Sequence, residues 1–240
     1  IPAYNEEQKI GQTIQNVVRE LEKRKYQLVV VDDGSKDKTV LILKRLKKNF
    51  SLEILRHRNN MGPGAAFRTG MDWVLSRAAE NDVLVAMESD GSSEKNLILK
   101  MVRLIEQKKA DIVVAGCYAP GGKMKNVPFS RRILSRVANI FLRAAFSIPG
   151  VYTYGSFFRA YTTGMLAKAK NKMGGQIITD DGFFSTVEIL VKLARIKGIK
   201  TMELPMVLDW GKEKRVSRMK IGKTVISHLK HIFKYKLEGY

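Results

Sequence analysis

Acidic side chains follow three short apolar stretches of the sequence. Glu6 lies near the start of the chain, Asp32 and Asp33 follow a run of valines, and Glu88 and Asp90 form a spaced pair after a third run. Clustered carboxylates repel one another unless a cation or hydrogen-bond donors offset their charge. Carboxylate oxygens suit Mg²⁺ or Mn²⁺, which also bind substrate phosphates. These positions predict a site for a divalent cation and for the hydroxyl and N–H groups of a sugar or base.

A structural interpretation covers part of this pattern. Asp33, Gly34 and Ser35 are typical of a turn, and Asp37 is typical of a helix N-cap. That interpretation does not explain two aspartates directly behind a hydrophobic strand. The Glu88–Asp90 pair is a weak signal alone, and it gains weight from the other two clusters.

The elements that must position these residues alternate between strands and helices. Buried parallel strands are predicted for the apolar runs at 27–32, 52–55, 83–87 and 112–115. Apolar spacings of three and four between them predict helices. The alternation predicts an α/β fold whose mainly parallel sheet has helices on both faces and binds ligands beyond the carboxyl ends of its strands. Because the chain opens at Ile1-Pro2 without an initiator Met, we expect a truncated first strand.

The second half of the chain is less regular. Helices are predicted over 131–146 and 181–197, and a strand over 201–208 that Pro205 interrupts, which favours an edge position. No linker-like composition divides the chain, so we expect one domain over 1–240.

Composition and charge restrict the class of protein. With 240 residues, 45% hydrophobic and 28% charged, the chain is neither disordered nor fibrous. One cysteine excludes a disulfide framework, and no apolar run is long enough for a membrane-spanning helix. The net charge of +20 lies mostly in residues 116–240 and predicts an anionic partner, which could be a nucleic acid, an anionic bilayer or a phosphorylated substrate.

Several motifs in order resemble one enzyme family. Pro2-Ala3-Tyr4-Asn5-Glu6, followed by Val31-Asp32-Asp33-Gly34-Ser35, resembles the opening of the family-2 inverting glycosyltransferases. Residues 58–66 resemble their glycine-rich segment, and Glu88-Ser89-Asp90 stands where that family has its DxD. The stretches 116–122, 130–139 and 158–161 are most similar to the subgroup of dolichol-phosphate mannose synthases and polyprenyl-phosphate glycosyltransferases.

The resemblance implies a glycosyltransferase A type fold, which is Rossmann-like. It also implies that a nucleotide sugar, GDP-mannose or UDP-glucose, is bound by Pro2, Ala3, Tyr4, Glu6, Asp32, Asp33, Glu88, Ser89 and Asp90. In that set Asp33 would hydrogen-bond the base or ribose. Asp90, supported by Glu88, would hold Mg²⁺ or Mn²⁺ on the diphosphate. Residues 1–115 would form the donor half and 116–218 the acceptor half.

The subgroup implies transfer of a hexosyl group, mannose or glucose, to a polyprenyl or dolichyl phosphate, with inversion, at the cytoplasmic face of a membrane. The acceptor phosphate would be bound by Arg131, Arg132, Ser135 and Arg136. A phosphate monoester is already a nucleophile at neutral pH and needs cations, whereas a hydroxyl acceptor needs a general base. Arg131 is therefore the expected catalytic group, and Asp181 is the candidate base for the alternative.

Three alternatives stay open. Asp180 could belong to a helix N-cap, and the arginines could form a solvated helix face. The chain departs from the subgroup at Glu88, Cys117 and Phe157, so it could also be a degenerate relative that binds without catalysis. A nucleic-acid-binding domain is disfavoured, because the basic half lacks aromatic stacking motifs and the acidic strand ends would repel phosphates.

The tail, residues 219–240, has the pattern of a basic amphipathic helix. Apolar residues recur at helical spacing and lysines occupy much of the remainder. Such a helix is suited to lie in the interface of an anionic bilayer. The alternative is a helix that docks on the core of its own domain.

Overall fold

The structure is a computed structural model, and it describes residues 1–211, 231–235 and 237. The helices are α1 Ile10–Leu21, α2 Thr39–Lys47, α3 Pro63–Leu75, α4 Leu97–Glu106, α5 Phe129–Phe146, α6 Thr163–Lys172 and α7 Ser185–Ala194. The strands are β1 Pro2–Ala3, β2 Leu28–Asp32, β3 Leu52–Arg56, β4 Val83–Ala86, β5 Ile112–Gly116, β6 Lys123–Lys125, β7 Arg159–Thr162, β8 Thr201–Pro205 and β9 Val207–Asp209.

The strands β1, β2 and β3 pair in parallel, as their apolar runs predict, whereas the strand predicted at 83–87 is β4 and pairs antiparallel with β7. The order is β1-β2-β3, and Ala3 pairs with Asp32, which in turn pairs with Arg56. Because parallel strands run in the same direction, the loops that carry Glu6 and Asp33 leave the sheet at the same edge. The first and second acidic stretches are therefore neighbours.

The sheet formed by the order β4-β7-β5-β8 contains a strand that the sequence does not predict. β7 pairs antiparallel with both β4 and β5, whereas β5 pairs with β8 in parallel. Arg159, the first residue of β7, is fully buried. Because a charged residue interrupts the apolar pattern there, the pattern does not predict a strand. β8 ends the order of this sheet, in line with the edge position that Pro205 favours.

Helices cover both faces of the sheet. Along β5, Ile112 and Val114 belong to one buried hydrophobic cluster, and Val113 and Ala115 belong to the other. This alternation follows from the period of two along a strand. Both faces of β5 are therefore buried.

Two predicted boundaries change in the structure. The helix predicted over 181–197 is only α7, because residues 181–184 turn before it begins. The strand predicted over 201–208 is two strands, since β8 pairs with β5 and β9 pairs with β6.

Most of the predicted tail helix, including residues 219–230, lies outside the described residues. Residues 231–235 and 237, here called the tail segment, are helical. Ile232 and Tyr235 of this segment pack against the hydrophobic core. This part of the tail therefore docks on its own domain, the alternative to a helix in a bilayer interface. Within the described ranges, no helix has both the length and the apolar character that crossing a bilayer requires.

Candidate active site at the carboxyl edge of the sheet

Two acidic stretches are joined where β1 and β2 end. The backbone N–H of Asp33 donates to the carbonyl of Ala3 at 2.8 Å, and the N–H of Glu6 donates to Thr39 Oγ1 at 2.7 Å. Thr39 is the first residue of α2, so the start of that helix holds the first loop. The predicted neighbours Glu6 and Asp33 therefore belong to one hydrogen-bonded surface.

The third acidic stretch reaches this surface through α1. Thr13 on α1 donates its hydroxyl to the carbonyl of Ser89 at 3.0 Å. The carbonyl of Glu6 accepts the N–H of Ile10, where the same helix begins. The loop after β4 is thus held against the helix that follows the first acidic stretch.

The carboxylate of Asp33 is buried and binds the protein's own glycine-rich loop. Its Oδ1 accepts from His57 Nδ1 at 2.7 Å and from Met61 N at 2.9 Å, and its Oδ2 accepts from Gly62 N at 2.8 Å. The other ring nitrogen of His57 is 2.9 Å from Thr69 Oγ1 on α3. Asp33 therefore positions the loop, a role that its place behind a strand does not reveal. His57 joins the site, although the sequence predicts no role for it.

Asp32 is also fully buried and has two partners within the protein. Its Oδ1 accepts the N–H of Ser35 at 3.3 Å, and its Oδ2 is 3.2 Å from Arg56 Nε on β3. Asp32 therefore holds the turn at Ser35, and Asp33 holds the glycine-rich loop. Contact of either aspartate with a nucleotide stays a prediction.

The glycine-rich loop packs directly against the backbone of residues 180–181. Gly64 N donates to the Asp181 carbonyl at 2.8 Å. A Cβ at Gly62 would overlap the Asp181 carbonyl oxygen, and one at Gly64 would overlap that of Asp180. Gly62 has φ +101°, which disfavours other residues, and Pro63 starts α3 with a preset φ. Close approach to residues 180–181 explains both glycines.

The two aspartates of that segment have different partners. Asp180 Oδ1 accepts the N–H of Ser185, the first residue of α7, at 3.1 Å, so Asp180 supports the start of that helix, although the N-cap residue is Phe184. Asp181 is more exposed, and its Oδ1 is 2.6 Å from Arg68 Nη2. The candidate general base is therefore engaged by an arginine of α3.

Glu88 points into the protein. Its Oε2 accepts from Ser93 Oγ at 2.6 Å and its Oε1 from Phe157 N at 3.3 Å. Burial, and then the negative charge of Asp90, raises the pKa of Glu88. The Oδ1 of Asp90 accepts a local hydrogen bond from Ser92 N at 2.8 Å. Because both oxygens of Glu88 are engaged by Ser93 and Phe157, Asp90 is the candidate cation ligand and Glu88 its neighbour.

The donor set suits a cation that substrate oxygens help to bind. Within the described residues, no group of three or more His, Cys, Asp and Glu side chains could enclose a metal ion. Mg²⁺ is usually bound through one or two carboxylates, with phosphates and waters completing its shell. Asp90, with Glu88 beside it, fits that mode and does not fit an all-protein cage.

The first half of α5 contacts the segment after β9 and the loop after β5. The guanidinium carbon of Arg131 is 5.2 Å from the centroid of the Trp210 ring, just after β9. Ser135 accepts a hydrogen bond from the Tyr118 hydroxyl at 2.8 Å, which links α5 to the loop after β5. Arg132 and Arg136 are exposed on the same helix. Four residues predicted to bind an acceptor phosphate therefore share the first half of α5.

The departures at 117 and 157 have simple structural roles. Phe157 packs its ring on Phe67 of α3, with centroids 4.8 Å apart, while its N–H holds Glu88. Burial raises the pKa of Cys117 to about 11, so its thiol stays protonated at neutral pH. Cys117 therefore adds no charge where the subgroup has arginine.

The fold and its acidic edge define an α/β protein of the glycosyltransferase A type. Solved structures share the architecture. Glucosyl-3-phosphoglycerate synthase from Mycobacterium tuberculosis, in complex with Mn²⁺, UDP and its product, superposes with a TM-score of 0.67 at 16% identity, covering 96% of this chain and 77% of that one. TarS from S. aureus in complex with UDP gives 0.55 at 20% identity, with 87% and 58% covered.

The family follows from sequence. Residues 1–169 match the model of Glycosyl transferase family 2, and the chain belongs to that family. It is 29% identical, over its whole length, to dolichol-phosphate mannosyltransferase of Pyrococcus furiosus, of which it covers 63%. Over 170 residues, 70% of this chain, it is 30% identical to polyprenol monophosphomannose synthase of Mycolicibacterium smegmatis, of which it covers 62%. The chain therefore spans less than two thirds of these relatives.

Proposed function

We propose that the protein transfers a hexosyl group from a nucleotide sugar to a polyprenyl or dolichyl phosphate, with inversion, at the cytoplasmic face of a membrane. Mannose or glucose is the proposed sugar, carried as GDP-mannose or UDP-glucose. Two features carry the proposal. The acidic strand ends suit a cation-bound diphosphate, and the first half of α5 bears Arg131, Arg132 and Arg136. Relatives named for lipid-phosphate mannosyl transfer support the acceptor class.

The donor half of the proposal rests on the loops after β1, β2 and β4. Residues 2–6 and 88–90 line the edge, and Asp33 holds the glycine-rich loop in place beside them. Mg²⁺ or Mn²⁺ at Asp90 would offset the charge that builds on the leaving nucleoside diphosphate. The chain itself would contribute three loops that orient the donor. Each has a backbone group bonded to a neighbouring element: Glu6 N to Thr39, Asp33 N to Ala3 and Ser89 O to Thr13.

The acceptor half rests on cations in place of a general base. A phosphate acceptor is mostly dianionic at neutral pH, so it needs charge screening and orientation. Arg131 is stacked on Trp210 and thereby loses little rotamer freedom on binding phosphate through its planar fork. Asp181, in contrast, is bound to Arg68, which favours a structural role for that carboxylate.

The membrane part of the proposal rests on α5 rather than on the tail. An apolar stripe of α5 faces solvent: Phe129 (69% exposed), Ile133, Val137, Ile140 and Phe141 (60%). The spacing places all five on one helix face, next to basic residues. A helix of this kind binds a bilayer interface through its apolar side and anionic lipids through its cations.

A side-by-side assay of polyprenyl phosphate and the corresponding polyprenol tests the function. GDP- and UDP-sugars with Mn²⁺ are first screened by thermal shift to choose the donor. Arg131→Ala should abolish most transfer to the phosphate and leave donor binding unchanged, whereas Asp181→Asn should have the smaller effect. The rate should rise through roughly pH 6 with the second ionisation of the acceptor and then level.

Arg77→Ala is the matched control, since Arg77 also stacks on a tryptophan, with its guanidinium carbon 4.4 Å from the Trp73 ring centroid. This variant should transfer like the wild type. The contrary outcome is transfer to the polyprenol, lost in Asp181→Asn and retained in Arg131→Ala. That result would show that the acceptor is a hydroxyl and not a phosphate.

A further inference from the structure

The tail segment is anchored on α7 by a buried tyrosine. Tyr235 is 3% exposed, and its hydroxyl donates to Glu188 Oε1 at 2.8 Å across 47 positions of sequence. Its ring meets Phe184 edge-on at a centroid distance of 5.7 Å, and His231 stacks on the same phenylalanine at 4.4 Å. His231 Nε2 also lies 3.5 Å from Asp180 Oδ2. The tail segment therefore touches both α7 and residue 180.

Glu188 carries this contact to the backbone of residues 179–180. The carboxylate is fully buried, and it accepts from Thr179 N at 2.9 Å, from Asp180 N at 2.9 Å and from Lys192 Nζ at 2.6 Å. One side chain thus binds the tail segment and the two residues that lead to Asp181. Loss of the tyrosine donor would leave a buried carboxylate oxygen with one partner fewer.

Residues 180–181 in turn support the glycine-rich loop. The carbonyls of Asp180 and Asp181 occupy the space that a Cβ of Gly64 or Gly62 would need, and Asp181 O accepts the N–H of Gly64. The other side of that loop is held by Asp33. A shift of residues 180–181 by a fraction of an ångström would therefore move the loop beside the donor site, because backbone meets backbone without a flexible side chain between them.

We propose that Tyr235 is a positioning residue for nucleotide-sugar binding: through Glu188 and residues 179–181, docking of the tail segment sets the position of the glycine-rich loop. This inference rests on the proposed function. Tail docking and donor binding then share a coupling free energy, and each must strengthen the other by the same factor. The tail segment then influences donor binding through Glu188 and the backbone of residues 179–181.

Calorimetric titration of the full chain with GDP and with UDP, each with Mn²⁺, tests the coupling. Tyr235→Phe keeps the buried ring and removes only the hydroxyl, and it should weaken binding of the preferred nucleotide about fivefold or more. It should also raise the donor KM more than it lowers kcat. A variant that merely lowers the folded fraction would reduce the apparent kcat and leave KM unchanged. Phe233→Ala, on the exposed side of the same segment, is the control and should bind like the wild type.

The reciprocal measurement uses the wild type alone. Saturation with the preferred nucleotide should slow amide hydrogen exchange of residues 231–235, and this test holds even if the variant fails to fold. Unchanged exchange, or nucleotide affinity that Tyr235→Phe leaves intact, overturns the coupling alone. A wild type that binds neither nucleotide overturns the proposed function together with this inference.

Discussion

At the residue scale, the acidic side chains of the sheet edge divide by what their oxygens contact. Asp32 and Asp33 are buried and accept from backbone N–H groups, an arginine and a histidine. Asp90 accepts a local turn bond from Ser92 N, and the two oxygens of Glu88 accept from Ser93 Oγ and Phe157 N. Carboxylates that look equivalent in the sequence therefore serve as loop supports in one case and as a candidate cation ligand in the other.

Asp33→Asn should destabilise the protein and weaken nucleoside diphosphate binding. An asparagine cannot accept all three donors, and each buried group left unpaired costs about 1–3 kcal/mol. Urea unfolding should show a lower midpoint, and calorimetry a lower affinity. Asp72→Asn is the control, because Asp72 forms a partly exposed pair with Lys170, and ion pairs near the surface contribute about 0–1 kcal/mol. Equal losses in both variants would contradict the support role of Asp33.

Asp90→Asn should leave the fold intact and remove most cation-dependent activity. The amide oxygen can still accept the N–H of Ser92, whereas the charge that holds the cation is gone. A bound cation supplies several kcal/mol to the transition state, so the rate should fall about 100-fold or more. Asp82→Asn is the control, because Asp82 also accepts a local turn bond, from Ala79 N. This variant should keep its activity. Full activity of Asp90→Asn in excess EDTA would refute the assignment.

At the element scale, α5 combines two surfaces with different chemistry. Leu142 and Phe146 face the core, and Asn139 fastens the helix by accepting the Tyr154 N–H at 3.0 Å. The opposite side exposes the apolar stripe. The helix is therefore rigidly attached while its apolar side remains open, as an interfacial helix requires.

Phe141→Asp should reduce cosedimentation with vesicles that contain anionic lipid. The substitution places a charge at the C-terminal end of the apolar stripe and leaves the buried face untouched. Raised salt should weaken binding of the wild type as well, because it screens the basic residues. Leu41→Asp is the control, since Leu41 is an exposed apolar residue of α2. If Leu41→Asp weakens binding as much as Phe141→Asp, the stripe is not the binding surface.

At the scale of the whole molecule, Glu188 joins segments far apart in the chain. It accepts from Thr179, from Lys192 one helical turn along α7 and from Tyr235 in the tail segment. Burial alone would raise its pKa, but the bonds from Lys192, Thr179, Asp180 and Tyr235 outweigh burial and lower the pKa below the ordinary 4.5. The ionised form therefore stabilises the folded state.

Glu188→Gln should lower the stability at neutral pH and lose its effect in acid. An acid with a lowered pKa in the folded state stabilises the protein above 4.5, and this contribution is lost as the pH falls through the lowered pKa. Removing one partner of a buried pair costs about 3–5 kcal/mol at neutral pH. Denaturant unfolding of both proteins across pH measures the difference. Glu80→Gln, in an exposed pair with Lys168, should change stability little at any pH; a pH-independent loss for Glu188→Gln would contradict the assignment.

The sequence by itself determined most of the strands and helices of residues 1–115. Apolar runs bounded by turns fix which segments are strands, and parallel strands necessarily bring their carboxyl ends to one edge, so the proximity of Glu6 and Asp33 could be predicted. The helix that carries Arg131 and Arg136 followed from the same periodicity. These features depend on short-range spacing, which is visible in a linear sequence.

Only the tertiary structure decided which partner each side chain takes. β7 was missed because the buried Arg159 has its partners, the carbonyls of Tyr154 and Thr186, on other elements. The use of Asp33 to hold the glycine-rich loop, the close contact of Gly64 with Asp180 and the bond from Tyr235 to Glu188 likewise join residues distant in sequence. Such contacts depend on how whole elements pack, because a hydrogen bond needs positions accurate to a few tenths of an ångström, and residue spacing along the chain carries no information at that precision.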